Sequence, residues 1–124
     1  MLEHETLTND VLAAAIEVHK HLGPGLLESC YEQCLCHELA LRGIPFQRQV
    51  ECPVEYKGLK LECGFRIDIL VNGEVILELK SVEKFHPIHE AQLITYMRLG
   101  HKKVGILLNF NARLLKDGIM RRVL

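Results

Sequence analysis

Hydrophobic spacing divides the 124-residue chain into two helical stretches, a strand-rich middle, a third helix and a strand-like close. Val11, Leu12, Ala15, Ile16, His19 and Leu22 recur at helical spacing and predict a helix over roughly 9–22, with Thr8, Asn9 and Asp10 as N-caps. Gly23-Pro24-Gly25 breaks the chain. A second helix is predicted from about Leu26 to Arg42, with Gly43 just past its end. Glu28, Tyr31, Glu32, Leu35 and Leu39 form one stripe along it.

The middle of the chain reads as strands. Ile44–Cys52 is loosened by Pro45 and followed by Pro53. Short runs at 54–56 and 59–61 flank a Lys57-Gly58 turn. Two longer apolar runs, from Cys63 to Val82, meet at Asn72-Gly73, a hairpin signal. Helical spacing returns from Pro87, through Ile88, Ala91, Gln92, Thr95, Tyr96 and Leu99, and ends at Gly100. Val104–Phe110 is continuously apolar, as a strand covered on both faces is. Lys116-Asp117-Gly118 turns the chain into a short last strand or helical tail. This order predicts an α/β or α+β fold, with helices covering a mixed sheet. The helix at 87–99 is long enough to cross over between strands 74–82 and 103–110, making them parallel.

Three charges interrupt the hairpin's apolar strands: Asp68 in the first, Glu78 and Lys80 in the second. Buried charge is costly unless it is paired or holds a metal. Two carboxylates on a rigid scaffold suit a hard divalent cation with open coordination sites, the arrangement for phosphodiester hydrolysis. Lys80 shares a strand face with Glu78 and suits positioning of water or stabilisation of developing phosphate charge. Glu28 could add a metal ligand or orient water, and Gln92 could meet the site from the third helix. A two-residue Asn72-Gly73 loop would pair Val71 with Glu74 and turn Asp68 and Glu78 to opposite faces. Convergence therefore predicts a three-residue loop or a β-bulge between 68 and 78.

Composition adjusts this picture. Hydrophobic residues make up 48% of the chain, enough to build a core without disulfides. No apolar run approaches the ~18 residues of a membrane span, so no membrane partner is expected. The opening MLEHETLTND is too polar and acidic to read as a signal or transit peptide. Five cysteines, an odd number, then suggest reduced thiols and a cytoplasmic setting. Cys30, Cys34 and Cys36 precede His37 in a helical stretch and read as packing groups, with a thiolate cluster that adds Cys52 and Cys63 as the competing reading. His19 and His21 are expected to interact with the end of the first helix. Net charge is −1, but residues 1–62 carry −5 and residues 63–124 carry +4, so any attraction for a polyanion comes from the second half.

The tract Gly25-Leu26-Leu27-Glu28-Ser29-Cys30-Tyr31 matches the GxxExxY signature. Asp68, Glu78-Leu79-Lys80 and the Gln92–Tyr96 pair resemble the D…ExK and QxxxY motifs of RecB-like members of the PD-(D/E)XK nuclease superfamily. The tracts LGPGLLES, PIHEAQLITYM and LLNFNARLLKDGI also look like GxxExxY proteins, so the resemblance extends over nearly the whole chain from about Thr8. Ile67 stands where the superfamily's proline would precede Asp68. The resemblance implies one restriction-endonuclease-like domain over 1–124, with Mg²⁺ or Mn²⁺ between Asp68 and Glu78. It further implies a catalytic Lys80, a helix carboxylate at Glu28 and an auxiliary Gln92.

Two functions compete. One is a metal-dependent nuclease acting on DNA more readily than RNA. The other is a catalytically silent module that keeps the fold and acts through a partner protein or nucleic acid, which the small size and near-neutral charge favour. Joint retention of Asp68, Glu78 and Lys80 favours the nuclease, since each alone could be a surface ion pair such as Glu78 with Arg66. A homodimer would double the contact surface and bring two sites to one duplex.

Overall fold

A computed structural model describes residues 4–124, so Met1–Glu3 of the polar opening stretch lie outside the described residues. The elements in order are α1 (Glu5–Leu22), α2 (Glu28–Leu41), β1 (Phe46–Tyr56), β2 (Leu59–Val71), β3 (Val75–Lys80), α3 (Pro87–Leu99) and β4 (Val104–Asn109). A 3₁₀ turn at Leu115–Gly118 and β5 (Ile119–Val123) complete the chain. The five strands lie side by side in sequence order. Neighbours are antiparallel except β3 and β4, which are parallel as the crossover through α3 requires. This mixed sheet with three helices is an α+β, restriction-endonuclease-like fold.

The two sheet faces bury different residues. Ile69, Val71, Val75, Leu77, Leu79, Ile106 and Leu108 pack against α1 and α2. Ile67, Leu70, Ile76 and Leu107 pack with Leu93 and Met97 of α3. Gly105 allows α3 close to β4, because a Cβ there would lie 2.7 Å from Leu93 Cδ1 and Met97 Sδ. Among the described residues, no helix is long and apolar enough to cross a membrane.

Several boundaries differ from the sequence reading. Helix α1 starts at Glu5, so Thr8 is not its cap; it lies inside the helix, 3% exposed, and its Oγ1 has no hydrogen-bond partner. The apolar faces of α1 outweigh the capping preference of a threonine. Helix α2 starts at Glu28, because Leu27 is still extended (φ −69°, ψ 147°). His19 does more than end a helix: its Nε2 lies 2.8 Å from the Ala112 carbonyl oxygen, tying α1 to the loop after β4.

The largest difference is the first hairpin. The short runs at 54–56 and 59–61 are not separate strands but the distal part of β1 and β2. Pairing runs from Cys52–Phe65 to Val54–Leu61 across a bulge, in which Glu62, Cys63 and Gly64 face Pro53. Pro53 is tolerated because β1 is an edge strand with no neighbour to receive its missing N–H. Gly64 is required there, since a Cβ would sit 2.1 Å from Val54 Cγ2.

Candidate active site

The turn between β2 and β3 has Asn72 at φ 53° and Gly73 at φ 67°, both left-handed. Val71 pairs with Val75, leaving a three-residue loop, Asn72–Glu74. The first of the two alternative devices expected for convergence, a three-residue loop, is therefore present. Pairing continues through Leu70–Ile76 to Ile69–Leu77 and stops. The next positions outward are Asp68 and Glu78.

Beyond that point the carboxylates take over the ladder. Asp68 N donates to Glu78 Oε2 at 2.8 Å, and Leu79 N donates to Asp68 Oδ2 at 2.9 Å. Each acid thus satisfies a main-chain N–H that the separated strands no longer pair. The inside–outside alternation of β2 also slips here. Ile67 and Leu70 pack toward α3, while Ile69 and Val71 pack toward α1 and α2. A regular strand would put residues 67 and 70 on opposite faces.

Glu78 is 3% exposed, and burial together with the adjacent Asp68 charge pushes its carboxyl up to about 8. Burial also raises Asp68, against the lowering effect of the Leu79 N–H. Lys80 Nζ donates to Gln92 Oε1 at 3.4 Å, so the amine and the amide of α3 meet at the same end of β3. Tyr96, one turn beyond Gln92, stacks on Phe65 with ring centroids 4.7 Å apart. Burial, then the charges of Glu78 and Asp68, raise its hydroxyl.

Glu28 approaches from α2. Its Oε2 accepts the Ser81 N–H at 3.2 Å, and Ser81 Oγ donates to the Leu26 carbonyl at 3.1 Å. The loop before α2 is pinned by Tyr31, which is 1% exposed and stacked on Phe110 at 4.6 Å. Tyr31 Oη donates to Gly23 O at 2.5 Å and accepts from Leu26 N at 3.0 Å. Glu28 and Tyr31 of the GxxExxY tract, with Gly23 just before it, thus belong to one loop-fastening arrangement. On the other side, buried Asn109 holds Val82 through both its amide groups, at 3.1 and 2.9 Å, fixing the chain just after Lys80.

A cavity of about 270 Å³ opens beside Asp68 and is lined by Glu28, Glu32, Arg48, Gln49 and Leu79 among others. Glu32, Arg48 and Gln49 are absent from the sequence-predicted site. Glu32 is 6% exposed; it accepts from Arg48 Nε on Oε2 and from Gln49 Nε2 on Oε1 at 2.7 Å. Its place on the buried stripe of α2 was the available signal, since a carboxylate there requires a partner. Arg66, considered as a partner for Glu78, instead lies 3.6 Å from Glu51.

The donor chemistry fits a hard cation held by two carboxylates. Glu78 is a buried and Asp68 a half-buried oxygen donor, and burial raises both carboxyls. Among the described residues, however, no three His, Cys, Asp or Glu groups gather closely enough to cage an ion. Glu28 stands at the rim of the cavity and does not form a trio with Asp68 and Glu78. The five cysteines are free thiols: Cys30, Cys34 and Cys36 on α2, and Cys52 and Cys63 on the first hairpin.

A mixed sheet whose strands part around an aspartate and a Glu-x-Lys pair, facing a helix glutamine, defines the nuclease-fold class of restriction-endonuclease-like proteins. The comparison with family descriptions agrees: that of the PD-(D/E)XK nuclease superfamily matches residues 5–123, and the chain belongs to that superfamily. Neither a curated protein nor a solved structure matches the chain.

Proposed function

We propose that the chain is a nuclease of the RecB-like, GxxExxY type that hydrolyses phosphodiester bonds in DNA, with residues 1–124 forming one domain. The observation that carries this reading is the pair of bonds from Asp68 N to Glu78 Oε2 and from Leu79 N to Asp68 Oδ2, which hold two carboxylates at the parting of β2 and β3. In this reading Asp68 and Glu78 hold Mg²⁺ or Mn²⁺, and Glu28 contributes from the cavity rim through a water. The bound ion would supply charge neutralisation at the phosphate and a more acidic water.

The protein groups then have separate tasks. Lys80, held by Gln92, donates to the attacking water or to a phosphate oxygen as negative charge develops. Gln92 fixes the direction of the amine. Tyr96 stays protonated and closes the α3 side of the site. The water oxygen bonds to phosphorus as the ester P–O bond breaks; the water's proton passes to solvent, and the leaving alkoxide takes one from solvent. The net charge of +4 on residues 63–124 favours an anionic polymer, and duplex DNA engaged by a pair of copies fits the small size of one chain. Reduced thiols fit a cytoplasmic setting.

Cleavage assays on single-stranded, duplex and branched DNA with Mg²⁺ or Mn²⁺ test this directly, run beside Asp68→Ala and Lys80→Ala. Metal-dependent cleavage lost in both variants supports the reading. Cleavage that survives in both comes from another enzyme. Absence of cleavage on every substrate, with no metal uptake, favours the silent module.

A further inference from the structure

From the first hairpin and α2 we infer that Glu32 and Gln49 form a positioning clamp, which holds the slip in β1 and β2 and thereby sets Asp68 between the strands. The β1–β2 ladder runs from Arg48–Ile69 to Val50–Ile67 and skips the Gln49–Asp68 step. Both strands change layers at that step. Phe46 packs toward α1 and α2, whereas Val50, Cys52 and Val54 pack toward α3. Residues 46 and 50 share a face in a regular strand, so β1 slips as β2 does.

The backbone cause is Gln49, whose φ is 53°. A non-glycine residue there is strained and needs support from its surroundings. The support is visible. Gln49 Nε2 donates to Glu32 Oε1 at 2.7 Å, while Glu32 Oε2 accepts from Arg48 on the preceding residue. One buried carboxylate on α2 thus grips two consecutive β1 side chains, which fixes the left-handed step between layers. The skipped partner across the ladder is Asp68. Released from β1 pairing, it accepts the Leu79 N–H instead. Glu32 and Gln49 also line the cavity beside Asp68, but their effect on it passes through the backbone step.

The test compares Glu32→Leu, Gln49→Val, Gln49→Gly and the double variant Glu32→Leu/Gln49→Gly. Amide hydrogen exchange at Asp68 and Leu79 is read in EDTA, so this arm needs no metal and does not depend on the proposed function. Mn²⁺ affinity is the second arm and rests on that proposal. Glu32→Leu and Gln49→Val are expected to lose protection at the Asp68 and Leu79 amides while Ile106 and Leu107 of β4 keep theirs. Their Mn²⁺ affinity should fall by about 10–100-fold, the usual cost of losing a supporting partner. Glycine accepts φ 53° without help, so Gln49→Gly should keep both readouts near wild type. It should also rescue Glu32→Leu, an outcome that a merely stabilising role for Glu32 does not produce. Wild-type protection and affinity in folded Gln49→Val, or no rescue in the double variant, would overturn the clamp. If Glu32→Leu does not fold, Gln49→Val against Gln49→Gly decides by the same readouts. A wild-type protein that takes up no Mn²⁺ but shows the exchange pattern would sink the metal reading and leave the clamp standing.

Discussion

Asp68 and Glu78 each receive a main-chain N–H from the opposite strand: Asp68 N reaches Glu78 Oε2 at 2.8 Å, and Leu79 N reaches Asp68 Oδ2 at 2.9 Å. One buried carboxylate, Glu78, and one half-buried one, Asp68, therefore hold the ends of two parting strands together. The arrangement satisfies the backbone, but it concentrates negative charge where burial already penalises it. A cation, or a proton, relieves that penalty.

The proton alternative gives a pH dependence. Glu78 rises from the ordinary 4.5 to about 8 in the folded chain, chiefly through burial and then through Asp68. Between those values the folded chain holds a proton that the unfolded chain has lost, so metal-free stability falls as pH rises through that window. Asp68 is raised as well and acts in the same direction. Calorimetric melting in EDTA should show a lower Tm at about pH 9 than at about pH 6, and Glu78→Gln should remove most of the difference. A wild-type Tm that rises over this interval would contradict the account.

Lys80 separates binding from chemistry. Its Nζ bonds Gln92 Oε1, so Lys80→Met should leave Mn²⁺ affinity within a few-fold of wild type. Cleavage should fall by about 10²–10³, the usual cost of removing one donor to developing charge. Single-turnover rates and calorimetry on the same preparation check both parts.

Tyr31→Phe keeps the stack on Phe110 but removes the hydroxyl bonded to Gly23 and Leu26. Urea unfolding should show a loss of about 1 kcal/mol. Because the same loop leads into Glu28, nuclease activity should fall more than stability alone explains, while the fold measured by circular dichroism stays unchanged.

Much of this was legible from residue patterns. The α3 crossover, its limits at Pro87 and Leu99, and the parallel β3–β4 pair follow from helical spacing beside a continuous apolar run. The three-residue loop followed from requiring Asp68 and Glu78 to converge, although Asn72-Gly73 alone suggests two residues. The long first hairpin was not legible, because Pro53 reads as a strand break unless β1 is known to be an edge. The slip at Gln49 was equally hidden. A left-handed glutamine has no compositional mark, and its support comes from Glu32, 17 residues earlier.

The central claim is that Asp68 and Glu78 jointly hold a divalent ion, and isothermal titration of Mn²⁺ into the metal-free protein at about pH 9 tests it most directly, where Glu78 is largely unprotonated. Asp68→Asn is the control, since its amide oxygen can still accept the Leu79 N–H. The account predicts saturable binding by wild type and a loss of about 10-fold or more in Asp68→Asn, with the fold retained. Absence of binding by wild type, or equal affinity in the two proteins, would contradict it.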